Sequence, residues 1–77
     1  MHDEIANVMV HVNEKLDERA LHALEDGIRK NSGVVSVGHH PKHPQLVLVA
    51  YDSAVARSSS FMHQFRDRGL HAQLVGL

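Results

Sequence analysis

The chain contains no cysteine, which removes disulfides, thiolate nucleophiles and thiolate metal ligands together. Aromatic residues are nearly as scarce: no tryptophan, one tyrosine and two phenylalanines. A core of this size can hardly spare them, so Phe61, Phe65 and Tyr51 are expected inside it and not on a base-stacking surface. Neither sign of charge prevails, with 8 basic and 9 acidic side chains giving a formal net charge of −1, so there is no electrostatic footprint for nucleic acid or an anionic membrane. No apolar run approaches the roughly 20 residues a bilayer span needs. The opening "MHDEIANVMV" is acidic where a secretory signal would be basic. The sequence therefore predicts a cytoplasmic domain that makes no membrane contact of its own.

What is present is a folded composition: 77 residues, 43% hydrophobic and 22% charged, enough for one modest core and one domain spanning residues 1–77. Histidine is the anomaly. Its 8 copies equal lysine and arginine combined, and its unperturbed pKa near 6.5 lets such a surface change charge in the physiological range.

"IANVMVHV", from Ile5 to Val12, alternates with a strand period, Val8, Val10 and Val12 on one face and Asn7, Met9 and His11 on the other. A helix follows, with Leu21, Leu24 and Ile28 at helical spacing, Asp17 as N-cap, Leu16 able to staple onto Leu21, and Asn31-Ser32-Gly33 as the stop. "VVSVGHH" and "QLVLVAYD" are short β-branched runs flanking Pro41-Lys42-His43-Pro44 and read as a hairpin. A second helix, "FMHQFRDRG", capped by Ser58 or a neighbour and ended by Gly69, precedes a last strand in "LHAQLVGL".

The order is strand, helix, strand, strand, helix, strand. It predicts an α+β, ferredoxin-like βαββαβ sandwich: a four-stranded antiparallel sheet with two helices on one face. In that topology the end of the first strand, the hairpin tip and the turn into the last strand share one end of the sheet. Those places hold His11, then His39, His40 and His43, then His71. Both faces of the third strand are apolar, although helices can cover only one, so the open face is expected to serve a partner.

The segments "GVVSVGHH", "LVAYDSAVA" and "FRDRGLHAQLV" resemble, in order and spacing over nearly the whole chain, the heavy-metal-associated domain of copper chaperones and soft-metal-transporting P-type ATPases. The resemblance implies the same fold, a non-enzymatic metal-binding role in metal transport, and a metal-transporting P-type ATPase domain as a partner. That family's Met-Thr-Cys-x-x-Cys would fall near Leu16 to Ala20, its two cysteine places taken by about Asp17 and Ala20. Linear copper(I) transfer between thiolates is therefore not carried over. What remains is either a member rebuilt with harder ligands or one that has lost metal and kept the scaffold, and His71 lies near where the family places a residue that tunes its metal.

Neutral imidazole suits zinc, copper(II), nickel and cobalt(II), with carboxylate oxygen completing such sites. His39, His40, His43, His11 and His71 are thus the expected metal-binding residues. Against them, adjacent strand residues face opposite ways and Lys42 puts a positive charge among the imidazoles, so a merely solvated hairpin tip is the bland alternative. Asp17 is first a helix cap and only secondarily an oxygen ligand. His22 and His63 read as solvated helix positions, and His2 lies near the terminus. No phosphate cradle of the acylphosphatase kind occurs in "NEKLDER", and no nucleophile triad or carboxylate pair is evident, so catalysis is not expected. The competing reading is a metal-free ferredoxin-like interaction module that dimerises or docks through its open face, as a regulatory domain of a P-type ATPase.

Overall fold

A computed structural model describes residues 4–76. His2 and the end of the last predicted strand at Leu77 lie outside the described residues. Six elements follow the predicted order: β1 (Ile5–Val12), α1 (Glu18–Arg29), β2 (Val34–His40), β3 (His43–Asp52), α2 (Ser59–Asp67) and β4 (Ala72–Gly76). The strands form one sheet in the order β2-β3-β1-β4, every neighbouring pair antiparallel. This is the ferredoxin-like arrangement, with both helices packed on the core side.

The alternation of β1 is what builds the core. Val10 and Val12 are buried and pair across β3 and β4, while Val47 and Val49 of β3 bury beside them. From the helices come Leu21, Leu24 and Ile28 of α1 and Phe61 and Phe65 of α2. Tyr51 packs edge-on to Phe61 with ring centroids 5.4 Å apart, a geometry the aromatic quadrupole favours. The opposite parity of β1 and β3 pairs Asn7 with Ala50, Met9 with Leu48 and His11 with Leu46. These residues form the sheet face that carries no helix, and Leu48 there stays 36% exposed.

At the hairpin the structure differs from the sequence reading. The hairpin turn is tighter: β3 already starts at His43, and the register slips between His39 and His40 so that His40 faces His43. Pro44 then falls in the slipped stretch and has no β2 partner, which suits a residue without an amide hydrogen. At α2, Ser58 holds the N-cap position but makes no side-chain cap bond. Its neighbour Ser60 instead ties down the segment before the helix, its hydroxyl accepting the Arg57 amide at 3.1 Å. At α1 the reading holds: Asp17 caps, and Leu16 packs against the core containing Leu21.

Candidate functional site

The fold brings His11, His39, His40, His43 and His71 to one end of the sheet, at the C-terminal ends of β1 and β2, the start of β3 and the turn into β4. It then divides them. His39 pairs with Val47 on the helix-bearing side, where its Nδ1–H donates to Glu25 Oε2 at 2.7 Å. Glu25, on α1, is 7% exposed and is the one charged residue buried among the described residues. This imidazole therefore meets a carboxylate that would otherwise be desolvated and unpaired.

His71 is held in a similar way at the opposite sheet edge. Its Nδ1–H donates to Glu14 Oε2 at 2.6 Å and its backbone N–H donates to Glu14 Oε1 at 2.8 Å. The Asn13 amide returns a bond to the His71 carbonyl at 2.9 Å. The side-chain bond from His71, followed by the backbone bond, lowers the Glu14 pKa below its ordinary value. In both His39 and His71 the carboxylate orients Nδ1–H toward itself and directs Nε2 away from it, the orientation common in metal-ligating histidines. Yet β2 and β4 are opposite edges of the sheet, three strand spacings or about 14 Å apart. These two rings do not share an ion.

His40 and His43 do approach each other, with ring centroids 5.0 Å apart and planes tilted by 43°. His43 also lines a shallow depression of about 340 Å³ together with His11, Lys42 and Leu46. His40 Nδ1 accepts the Lys42 amide at 3.1 Å, so the neutral ring carries its proton on Nε2. Among the described residues no three histidines, aspartates or glutamates gather as a group able to hold a metal ion.

The place where the resembling family would hold its thiolates has a different content. Asp17 Oδ1 accepts the Ala20 amide at 2.8 Å, so the carboxylate is engaged as a helix cap. Close to it lies a cavity of about 230 Å³ whose walls include Val12, Leu16, Leu21 and Pro44. These walls are apolar; of the polar residues that also line the cavity, Glu14 is engaged by His71 and Gln45 donates its amide to the Val12 and Asn13 carbonyls. Of the remaining histidines, His22 is exposed on α1 and His63 lies 3.3 Å from Asp67 one turn along α2.

The residues that sequence reasoning missed are Glu25 and Glu14. Glu25 carried a signal: it adjoins Leu24 and stands four residues after Leu21, on the edge of the apolar stripe of α1. Glu14 carried none, because its partner is 57 residues away.

Comparison with family models and with curated protein sequences returns no match. Solved structures do match. The chain is similar to oxidized MerP from Ralstonia metallidurans CH34, with TM-score 0.80, 17% identity, and 92% of this chain and 97% of that one covered. It is similar to a copper binding domain from HMA7, a P-type ATPase, with TM-score 0.79, 14% identity and 91% and 93% covered. The copper form of a CopA variant from Bacillus subtilis gives TM-score 0.78 at 19% identity with both chains covered in full. At such identities the likeness establishes the fold alone, the ferredoxin-like βαββαβ sandwich. Among the described residues, no helix is long and apolar enough to cross a membrane.

Proposed function

We propose that this chain is a divergent heavy-metal-associated domain that binds a divalent transition metal ion through imidazoles in place of thiolates, in a metallochaperone-like or transporter-regulatory role. Zinc, copper(II), nickel and cobalt(II) are the ions this chemistry favours. The observation that carries the reading is the 5.0 Å separation of the His40 and His43 ring centroids on the hairpin tip. With metal–nitrogen bonds of about 2.0–2.1 Å and tetrahedral angles, two imidazoles on one ion place their centroids about 5 Å apart. His40 must exchange its bond from the Lys42 amide for the metal, at a cost of about 1 kcal/mol for one exposed neutral hydrogen bond. His11 lines the same depression as His43 but does not gather with the two rings into a metal-holding group. His39 and His71, each tied to its carboxylate, belong to the scaffold of this reading and not to the same ion.

The fold likeness to MerP, to a copper binding domain of a P-type ATPase and to CopA supports a place in metal handling, with a P-type ATPase domain as partner. Titration of the chain with each ion, followed by NMR of the histidine rings, tests it. Shifts confined to His40, His43 and His11, lost in the His40→Ala/His43→Ala variant, are expected. Weak shifts spread over all histidines, or unchanged uptake by the variant, would remove the metal reading.

A second reading has its own observation. On the helix-free sheet face, Met9, Leu48 and Gly38 line a depression of about 480 Å³, and Leu48 remains 36% exposed. An apolar strip there suits docking of another domain without any metal. Chemical-shift changes on Met9 and Leu48 on adding a partner domain in the presence of a chelator would favour it.

A further inference from the structure

The hairpin tip offers two imidazoles where a zinc-like ion asks for four ligands. No third histidine or carboxylate of the same chain completes the group among the described residues. A half-filled coordination sphere closed by water would hold the ion weakly. We infer that the tip is half of a metal site and that a second copy of this chain supplies the other half, so that one ion is bound by His40 and His43 of each of two chains. The inference rests on the imidazole reading above.

The geometry of the tip favours such a union. Four imidazoles around a tetrahedral ion are related in pairs by a two-fold axis through the metal, which is the symmetry of an isologous dimer. Pro41, Lys42, His43 and Pro44 are all exposed, so two tips can meet without displacing other parts of either chain. Pro41 and Pro44 limit the backbone freedom of the tip, so the two rings are presented together before the metal arrives. Beyond the tip, the sheet face without helices continues through Leu46 and His11 to Leu48 and Met9, apolar surface that the second copy would begin to cover.

Electrostatics oppose the union only locally. Each chain carries a net charge of −1, too small for long-range repulsion to matter. Lys42 stands between the two histidines and would bring a second positive charge near the ion, but it is exposed and its long stem can carry the ammonium outward into water. His39 and His71 do not join the same assembly. Each ring is held toward its own carboxylate, Glu25 or Glu14, and the two stand at opposite edges of the sheet.

The test uses the whole chain and zinc(II) as the probe, with sedimentation to read mass and calorimetry to read stoichiometry. The expected result is one zinc per two chains, a twofold rise in mass that appears only with zinc and reverses on adding a chelator, and neither effect in His40→Ala/His43→Ala. One zinc per chain with no change in mass would overturn the bridged site while leaving imidazole binding intact. Zinc uptake by the native chain no greater than by the double variant would remove both. A twofold mass in the absence of metal, or one that persists in the variant, would also overturn the bridge.

Discussion

The Asp17 carboxylate accepts the Ala20 amide at 2.8 Å, so the two positions where the resembling family would carry cysteines are bound to each other by a helix cap. The first turn of α1 is thereby closed with an ordinary local interaction in place of a metal.

Asp17→Cys with Ala20→Cys is therefore expected to take up copper(I) or zinc with thiolate charge-transfer absorption that the native chain lacks. The same change forfeits the cap. Asp17→Ala alone should lower stability by about 1 kcal/mol, measured by urea unfolding. A double variant that folds but shows no thiolate absorption on metal addition would mean that the loop no longer has the family's shape.

His39 and Glu25 give a second expectation that separates scaffold from site. Removing the His39 ring leaves Glu25, only 7% exposed, without its hydrogen-bond donor, which costs about 1–3 kcal/mol. His43→Ala alters an exposed residue of the tip and should stay within about 0.5 kcal/mol of the native chain, while His40→Ala forfeits the bond from the Lys42 amide and should cost no more than about 1 kcal/mol. Equal unfolding midpoints for all three variants would show that the Glu25 pair adds nothing to the fold.

This division among neighbouring histidines is also where sequence legibility ended. The strand alternation of Ile5 to Val12, the apolar spacing of Leu21, Leu24 and Ile28 and the Asp17 cap are local patterns, and each led to the observed element. Topology then placed five histidines at one end of the sheet. What the sequence did not contain was lateral position across the sheet. His39 and His71 are on different edges, and their carboxylate partners are 14 and 57 residues distant. The register slip that sets His40 against His43 arises from the turn itself and has no periodic signature. The buried Glu25 could have been noticed, since a charge within an apolar helix stripe calls for a partner.

Gly33 joins α1 to β2 with φ +89°, and a Cβ there would lie 2.8 Å from Ala56 Cβ. Gly33→Ala thus combines a left-handed backbone penalty with overpacking and should cost at least about 2 kcal/mol. Gly69 has φ +73° but nothing within 4 Å of a built Cβ, so Gly69→Ala should show the backbone penalty alone, about 1–2 kcal/mol. Thermal unfolding of the pair isolates the contact with Ala56. If both variants lose the same stability, the close approach is relieved by movement of the segment around Val55 and Ala56.

The Glu14–His71 clasp predicts a pH dependence. Two bonds from His71, the side-chain one foremost, hold the Glu14 pKa below the ordinary value of 4.5. A carboxylate whose folded pKa is depressed stabilises the fold above its unfolded pKa, and the contribution disappears as pH falls through the lowered folded value. The clasp should therefore be intact at neutral pH and lost only on acidification below the normal glutamate range. NMR titration of the Glu14 side chain and the His71 amide should show one shared midpoint below 4.5. In His71→Ala the ring bond is gone but the amide of residue 71 still donates to Glu14, so the midpoint should move upward without reaching the value of an unbonded glutamate. A full return to 4.5 would mean that the backbone bond depends on the ring to hold the β1–α1 loop against β4. An unchanged midpoint would mean that the ring contact does not exist in solution.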